Sequence, residues 1–364
     1  MQTILITGGA GFIGSHLTDA LLEHGYRVRI LDSLVDQVHG SVERPLYLSE
    51  DAELIVSDIR ERGVVSEALD GADAVFHFAA RVGVGQSMYE IGEYVSANTL
   101  GTATLLEALA GSTVRKLVVA SSMSIYGEGL YAPVAALERP RAALEAREWE
   151  PRGADGETLT PLPTTEAKPA ANSSVYALTK YDQERLCLVY GDAYGLPTVA
   201  LRFFNVYGPR QALSNPYTGV LAIFAARLLN GKPPLVYEDG EQRRDFVNVA
   251  DVTRACILAL ESDGANGEAV NVGSGRSLTV KEIGRSLAHV LGGEVEPEVT
   301  GTFRAGDIRH CFADITKARE LLGYEPQVEL EEGMHELVAW LETQTADDRV
   351  EAATAELVAR GLAR

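Results

Sequence analysis

The sequence has few cysteines and no long apolar run. Cys187, Cys256 and Cys311 are far apart and lack metal-ligand spacing, and the seven histidines show no pairing that indicates zinc. We therefore expect buried structural thiols, no disulfide framework and no metal. Apolar stretches such as 74–80 are far too short to cross a bilayer, and no basic, cleavable leader precedes the first apolar strand. These features predict a cytoplasmic protein with no membrane partner.

Basic residues are scarce beside acidic ones, with 32 Lys and Arg against 52 Asp and Glu and a net charge of −20. Such a field repels nucleic acid and anionic lipid, so neither is an expected partner. It also repels a nucleotide diphosphate. An anionic ligand therefore needs a local basic cluster, which can act on its own because salt screens charges beyond about 8 Å.

Short apolar runs alternate with amphipathic segments through much of the 364-residue chain. The predicted strands are Thr3–Thr7, Arg27–Asp32, Glu53–Val56, Ala74–Phe78, Leu117–Ala120, Val199–Phe204 and Asp245–Val249. The predicted helices include Phe12–His24, Thr99–Ala110 and Val175–Tyr194. This alternation predicts an α/β fold with a Rossmann-type, doubly wound parallel sheet and helices on both faces.

Two regions depart from this rhythm. Residues 128–168 are rich in proline and charge, with one possible helix at Arg141–Trp149, and are predicted to be an insertion or lid. The pattern becomes mixed after Gly264, which predicts a smaller mixed α/β lobe ending in a helix within 347–364. We expect a Rossmann domain at 1–204 and 243–262, and the second lobe at 205–242 and 263–364.

A glycine-rich turn joins the first predicted strand to the first predicted helix. Gly8, Gly11 and Gly14 are spaced three apart, which suits a tight turn and close approach of a pyrophosphate to the backbone. Phe12 and Ile13 open the helix, whose N–H groups and dipole favour phosphate. These residues predict a dinucleotide site, although a simple strand–helix turn is the alternative.

Acidic residues follow the second and third predicted strands. Asp32 can accept hydrogen bonds from ribose hydroxyls and repels a 2′-phosphate, and no Arg or Lys closely follows it. NAD is therefore favoured over NADP. Asp58 and Ile59 are placed to reach the adenine, with a surface acid as a nearly equal alternative.

Tyr176 and Lys180 form the only Tyr-x-x-x-Lys pair in the chain. A spacing of four places both side chains on one helix face. A nearby cation favours phenolate, so we expect Lys180 to lower the pKa of Tyr176 towards neutral pH. Tyr176 is thus the candidate acid/base, and a surface pair on a helix is the alternative.

These features occur in one order with His77-Phe78-Ala79-Ala80, Asn98 and Ser121-Ser122-Met123-Ser124-Ile125-Tyr126-Gly127. From Ile4 to about Leu330 the chain resembles the extended short-chain dehydrogenase/reductase family, in its nucleotide-sugar epimerase and dehydratase branch. The resemblance implies retained NAD in the Rossmann domain and a nucleotide-sugar-binding second lobe. It assigns Ala79 and Asn98 to the cofactor and Ser122 to catalysis, with Lys180 also on the nicotinamide ribose. It further implies a homodimer through the helices at 99–110 and 175–194.

The residues after Ser122 narrow the reaction. In the related 4,6-dehydratases an Asp-Glu pair follows the serine or threonine, whereas this chain has Met123 and Ser124, and neither acts as a general acid or base at neutral pH. Dehydration is therefore disfavoured, and Ser124 is expected beside the substrate. The resemblance implies 4-epimerisation through a transient 4-keto sugar. A nucleotide-sugar reductase or dehydrogenase and a non-enzymatic NAD sensor are the alternative functions.

The basic cluster that the charge argument requires lies late in the chain. The resemblance places Asn205, Arg244 and Arg304 on the substrate diphosphate and Asp307 on the nucleotide ribose. Arginine suits this role because its planar fork binds phosphate oxygens in pairs. Arg243 is expected to be an ordinary surface residue.

Three segments bear on the sugar. Residues 82–89, 211–217 and the 128–168 insertion are similar to bacterial dTDP-L-rhamnose 4-epimerases, which interconvert dTDP-L-rhamnose and dTDP-6-deoxy-L-talose. The UDP-glucose/UDP-galactose 4-epimerases share the other motifs and are the alternative.

Overall fold

The computed structural model describes residues 1–40, 43–134, 138–211, 219–304, 306–343 and 350–363, with the backbone alone at 350–354. Its centre is a seven-stranded, wholly parallel sheet. The strands are β1 (Thr3–Thr7), β2 (Arg27–Asp32), β3 (Glu53–Val56), β4 (Ala74–His77), β5 (Lys116–Ser122), β6 (Thr198–Phe203) and β7 (Ala269–Val272). The predicted α/β class and doubly wound sheet are confirmed.

The strands are ordered β7-β6-β5-β4-β1-β2-β3 across the sheet. Ile4 of β1 pairs with Val28 on one side and with Ala74 on the other. The chain therefore runs outward in opposite directions from β1 and β4. A crevice opens at the carboxyl ends of the strands at such a switch point, and ligands of open α/β sheets bind there.

Helices cover both faces of the sheet because successive residues of each strand are buried on opposite sides. Ile4 and Ile6 pack in one apolar cluster with the helices Phe12–Glu23 and Val249–Glu261. Leu5 packs in the other with the helices Arg62–Leu69, Gly101–Leu109 and Val175–Tyr194. The remaining α-helices are Asp36–His39, Val84–Ser87, Ile91–Tyr94, Arg141–Glu145, Val220–Leu229, Val280–Val290, Thr316–Leu322, Leu330–Leu341 and Val350–Ala359.

A third apolar cluster forms the core of a smaller lobe. It unites the helices Val220–Leu229, Val280–Val290 and Leu330–Leu341, with Phe224, Leu287 and Leu337 all buried. Short strands accompany it at Leu235–Val236, Arg243–Arg244, Leu278–Thr279, Glu298–Val299 and His310–Cys311. The mixed α/β lobe that the sequence predicts is therefore present.

Two strand assignments differ from the prediction. Phe246–Asn248 pairs with Asn205–Tyr207 in a separate two-stranded sheet, and not with the central sheet as expected. The place beside β6 is taken by β7, in which Ala269 pairs with Ala200. Residues 269–272, which the sequence predicts in the second lobe, thus form an edge strand of the central sheet.

The predicted insertion is not another strand–helix unit. Leu130–Ala132 pairs antiparallel with Thr160–Leu162, and the helix between them spans only Arg141–Glu145. It is shorter than predicted and is followed by Arg147 in a left-handed conformation at φ 61°. Buried ion pairs join the insertion to the second lobe, among them Arg139 with Glu238 at 2.8 Å.

The three cysteines are free and buried, as expected. Within the described ranges, no helix is both long enough and apolar enough to span a membrane.

Candidate active site

A cavity of about 880 Å³ lies at the carboxyl ends of the strands and extends into the second lobe. It brings together residues that are distant in sequence. The predicted site residues that line it are Gly8, Gly11, Phe12, Ile13, Gly14, Asp32, Asp58, Ile59, Ala79, Ser122, Ser124, Tyr176, Lys180, Asn205, Arg244, Arg304 and Asp307.

The glycine turn leaves space and donors for a pyrophosphate. Gly8 has φ +73°, and a Cβ on Gly14 would lie 2.5 Å from the Gly8 carbonyl oxygen. Only glycine therefore fits both positions. Among the described residues no side chain caps the helix that begins at Phe12, so its first N–H groups remain available beside the cavity. The residues present fit a dinucleotide.

Backbone donors orient the carboxylate of Asp32. Its Oδ2 accepts from the Ala10 N–H at 3.0 Å and its Oδ1 from the Leu34 N–H at 2.9 Å. His39 lies 3.8 Å from Oδ1, and burial lowers the pKa of His39, so its ring is neutral at neutral pH. The site thus offers a carboxylate, oriented by backbone donors, for a ribose hydroxyl pair, which suits NAD.

Asp58 forms an ion pair with Arg60. Arg60 donates from Nε to Oδ1 at 2.8 Å and from Nη2 to Oδ2 at 2.6 Å. This fork holds the pKa of Asp58 below its usual range. Asp58 and Arg60 both line the cavity, so Arg60 is an additional cation at this end that the sequence analysis missed.

The candidate catalytic hydroxyls meet at the end of β5. Ser122 ends the strand and its Oγ accepts from the Ser124 N–H at 3.2 Å, while the two Oγ atoms lie 2.8 Å apart. A hydrogen bond from Ser122 favours ionisation of the Tyr176 phenol, but burial has the larger effect and raises the pKa of Tyr176. The expected lowering of that pKa by Lys180 is therefore wrong for the protein alone, because loss of water outweighs the available partners.

Lys180 is held by a buried polar chain. Its Nζ donates to the Gln183 Oε1 at 2.7 Å, and the Gln183 Nε2 donates to the Ala79 carbonyl and the Thr102 hydroxyl. Burial and, to a lesser extent, the charge of Lys180 lower the pKa of His77 to about 3, so the imidazole of His77 is neutral. Burial also lowers the pKa of Lys180 to about 8.

Asn98 is the one predicted site residue that does not line the cavity. Its Oδ1 accepts from the Arg81 N–H at 2.6 Å, and its Nδ2 donates to the Arg81 carbonyl and to the Thr179 hydroxyl at 2.9 Å. Asn98 is fully buried, and both ends of its amide are used. In this structure it fixes the backbone after Ala79 and anchors the helix that carries Tyr176.

The basic cluster has one cation without an anionic partner. Arg244 donates only to backbone carbonyls, those of Arg243 at 2.9 Å, Arg309 at 3.0 Å and Ile308, and pairs with no carboxylate in the described part of the chain. Burial lowers its pKa, but it stays protonated at neutral pH. An uncompensated guanidinium at a cavity wall is suited to bind an anion. Arg243 does not line this cavity.

Arg304 and Asp307 contact each other in place of a ligand. The Arg304 Nε and Nη2 donate to the Asp307 carboxylate at 2.9 and 3.1 Å, and the guanidinium lies 4.4 Å from the centre of the Tyr237 ring. The buried Oδ1 of Asn205 has no hydrogen-bond partner among the described residues. Asn205, Arg244, Arg304 and Asp307, which we call the clamp, thus line one cavity, with Arg304 paired to Asp307 and the Asn205 amide oxygen without a partner among the described residues.

Besides Arg60, the sequence analysis missed two side chains that support site residues. Gln183 stands three residues after Lys180 and seven after Tyr176, a spacing that places all three on one helix face, so its role could have been noticed. No sequence pattern predicts the role of Tyr237, because only the fold brings its ring against the Arg304 guanidinium. Residues 212–217, used for the resemblance to one group of epimerases, lie outside the described residues.

The fold and the cavity together define an NAD-dependent enzyme of the extended short-chain dehydrogenase type. The sequence profile of the NAD dependent epimerase/dehydratase family matches residues 4–273, and the chain belongs to this family. The dTDP-L-rhamnose 4-epimerase of Burkholderia thailandensis is 36% identical over 353 residues, covering 93% of this chain and 95% of that protein.

Solved structures agree with this assignment. The UDP-glucose 4-epimerase of Thermotoga maritima with UDP-glucose has a TM-score of 0.78 and 34% identity, and the match covers 94% of this chain and 99% of that one. The UDP-glucuronic acid 4-epimerase of Bacillus cereus, in complex with UDP-glucuronic acid and NAD, has a TM-score of 0.78, 30% identity and the same coverage. The chain is an NAD-dependent nucleotide-sugar epimerase.

Proposed function

We propose that this epimerase acts on a nucleoside-diphosphate 6-deoxy sugar and interconverts dTDP-L-rhamnose and dTDP-6-deoxy-L-talose. The observation that carries the proposal is the 36% identity to the Burkholderia thailandensis enzyme over almost the whole of both chains. Two methionines add support. Met88 and Met123 line the cavity, and each follows a serine that contacts Tyr176: the Ser87 hydroxyl accepts from the Tyr176 N–H, and Ser122 bonds the phenol. Thioethers suit a methyl at carbon 6 better than a hydroxyl.

Tyr176 acts as the acid/base in the proposed reaction. Its phenolate oxygen accepts the proton of the C4 hydroxyl while Ser122 holds that hydroxyl by a hydrogen bond, and the carbon gives up a hydride. When bound, oxidised NAD supplies the hydride acceptor and a positive charge that favours the phenolate. Lys180 fixes the cofactor ribose and keeps a second positive charge near the phenol.

The clamp holds the nucleotide while the sugar turns. Arg244 and Asn205 bind the diphosphate, and Arg304 and Asp307 exchange their mutual contact for diphosphate and ribose. The 4-keto sugar can then rotate about its bonds to the diphosphate and present its other face. Tyr176 returns the proton when the hydride comes back, so no net oxidation occurs. The side chains at 123 and 124 provide no acid or base for eliminating water.

The test is epimerisation without added NAD. Purified protein is incubated separately with dTDP-L-rhamnose and with UDP-galactose, and the sugar ring protons are followed by NMR. Appearance of the C4 epimer from the dTDP-sugar alone supports the proposal. Conversion of UDP-galactose instead would favour the alternative, a UDP-glucose/UDP-galactose 4-epimerase, which the Thermotoga maritima likeness also supports. Stoichiometric NADH release would indicate a dehydrogenase.

The Tyr176→Phe variant tests the role of the phenol. We expect turnover to fall by about 10²- to 10⁴-fold, because the proton acceptor is lost. NAD should remain bound, since the glycine turn and Asp32 are untouched. Retained turnover would exclude Tyr176 as the acid/base.

We also infer that the enzyme works as a homodimer. The helix Val175–Tyr194 exposes Leu178 and Val189 on one face, at 47% and 58% of their surface, and Leu100 is 54% exposed beside it. Apolar side chains grouped in this way favour a protein interface. Light scattering should give twice the monomer mass, and Val189→Glu should reduce it; a monomeric wild type would contradict the inference.

Residues 1–204 and 243–262, together with β7, are proposed as the NAD-binding domain. Residues 205–242 and the rest of 263–364 are proposed to bind the nucleotide sugar.

A further inference from the structure

The chain ends in a segment that returns to the cavity. We call residues 355–363 the terminal strap. Its helix ends before Gly361, whose φ of +70° turns the chain, and the Leu362 N–H donates to the Leu357 carbonyl at 2.8 Å. This is how helices end when glycine follows them. The turn directs Ala363 back to Arg304, with which it forms an antiparallel bridge.

The terminal strap contacts both sides of the cavity mouth. The Arg360 guanidinium lies 4.3 Å from the centre of the Tyr89 ring, and Tyr89 belongs to the loop that follows β4. The bridge to Arg304 joins the same strap to the anion clamp. One short segment therefore connects the loop beside Tyr176 with the residues expected to hold the diphosphate.

Two strap side chains line the cavity itself. Leu357 is only 4% exposed, and Leu357 and Leu362 form part of the wall together with Trp340. Because Ala363 is paired with Arg304, the wall that Leu362 forms adjoins the clamp. That end of the cavity is where a nucleoside diphosphate would place its nucleoside.

We propose that the terminal strap is a wall of the nucleotide-sugar site, with Leu357 and Leu362 in contact with the nucleoside half of the substrate. The contact between Arg360 and Tyr89 holds this wall closed. The proposal rests on the proposed function only in requiring that the cavity accepts a nucleoside diphosphate. It adds specificity-determining residues that lie after the family's matched region, residues 4–273.

The test measures binding of dTDP, and of UDP in parallel, to the full-length protein by calorimetry. These ligands carry no sugar, so the result does not depend on which sugar is epimerised. Leu362→Ala should weaken dTDP binding by about tenfold, since an apolar contact of several methyl and methylene groups is lost. Arg360→Ala and Tyr89→Leu should each weaken it by about two- to fivefold.

A coupling measurement isolates the contact. The double variant Arg360→Ala/Tyr89→Leu should bind no more weakly than the weaker single variant, because both changes remove one interaction. Val358→Ala and Ala359→Ser are matched controls, since both residues are exposed and neither lines the cavity. Thermal melting accompanies each variant.

The proposal is supported if the affinity falls as stated while the melting temperature and the affinities of the controls stay within error of wild type. Unchanged dTDP affinity in Leu362→Ala would overturn it. So would equal losses in the controls, or a wild type that binds neither dTDP nor UDP. A wild type that binds dTDP but does not epimerise dTDP-L-rhamnose would overturn the proposed substrate and leave the strap proposal standing.

Discussion

The Nζ of Lys180 lies 2.7 Å from the Oε1 of Gln183, one helical turn further along the helix that carries Tyr176. The amide nitrogen of Gln183 is held in turn by the Ala79 carbonyl at 3.1 Å and the Thr102 hydroxyl at 3.0 Å. The glutamine is fully buried and cannot turn its oxygen away without losing these bonds. Gln183 therefore fixes the position of the Lys180 ammonium.

The Gln183→Leu variant should reduce kcat by about tenfold or more, because Lys180 loses the acceptor of a charge-assisted hydrogen bond. Loss of that acceptor also disfavours the ammonium, so the alkaline limb of the pH–rate profile should move to lower pH. Gln183→Glu is the matched comparison, since its carboxylate favours the ammonium and should move the limb the other way. An identical profile in all three proteins would show that Gln183 is merely structural.

The activity should fall as the pH rises through about 8. Burial lowers the pKa of Lys180 from 10.5 to about 8, so the ammonium is present below that pH and is lost above it. In the proposed mechanism, loss of the ammonium removes the positive charge with which Lys180 holds the cofactor ribose. The measurement is kcat between about pH 6 and pH 10, and the Lys180→Met variant should lack this limb.

The titration of Lys180 does not itself destabilise the folded protein. Between pH 8 and 10.5 the unfolded chain keeps the lysine proton and the folded protein releases it. The contribution of Lys180 to the free energy of unfolding therefore increases as the pH rises through this window, which stabilises the folded protein. The same alkaline fall of activity in Lys180→Met would contradict the assignment to Lys180.

The sequence predicts the sheet well where local pattern decides it. Thr3–Thr7 and Arg27–Asp32 have the same bounds in prediction and structure, because each is a short apolar run between clear turn signals. The error at Asp245–Val249 has a different origin. The apolar pattern of a strand does not predict which strand it pairs with. In the structure β7, and not Asp245–Val249, occupies the edge of the sheet beside β6.

The candidate site was predictable as a set of residues but not in its electrostatics. The motif order identifies Tyr176, Lys180 and Arg244 without the fold. The depth of burial does not follow from spacing, and burial is what raises the pKa of Tyr176. Likewise, the amide of Asn98 points to the Arg81 backbone, a tertiary contact across 17 residues that no local pattern encodes.

The Gly14→Ala variant should lose NAD. Its added Cβ would lie 2.5 Å from the Gly8 carbonyl oxygen and 2.6 Å from the Gly9 Cα, so the backbone that cradles the pyrophosphate must shift. We expect NAD affinity to fall by about tenfold or more, equivalent to about 1.4 kcal/mol. The measurement is the NAD released from purified protein after denaturation.

Gly63→Ala is the matched control for that variant. Gly63 is also helical, within Arg62–Leu69, and a Cβ there would meet nothing within 4 Å. It should keep NAD and gain about 0.5 to 1 kcal/mol of stability, because alanine is the better helix former. Full NAD content in Gly14→Ala would mean that the turn tolerates a side chain and that the pyrophosphate is bound elsewhere.

The insertion should stabilise the enzyme through Arg139. This side chain is 4% exposed and pairs with Glu128 at 3.0 Å and with Glu238 at 2.8 Å, two carboxylates that are also buried. It further donates to the Asp307 carbonyl at 3.1 Å, and so supports the clamp. Arg139→Met leaves two buried anions short of a partner and should lower the free energy of unfolding by about 3 to 5 kcal/mol.

Arg141→Met, in the same insertion, is the control that tests whether an ion pair must be buried to stabilise the protein. Arg141 pairs with Glu145 at 3.0 Å, but the two side chains are 59% and 49% exposed, so its loss should cost less than about 0.5 kcal/mol. Denaturant unfolding of both variants beside wild type measures the difference. The double variant Arg139→Met/Glu128→Gln should recover part of the loss, because Arg139 is the only ion-pair partner of Glu128 among the described residues and the side chain at 128 is then neutral. Equal effects of the two single arginine variants would show that the insertion is not held by its buried charges.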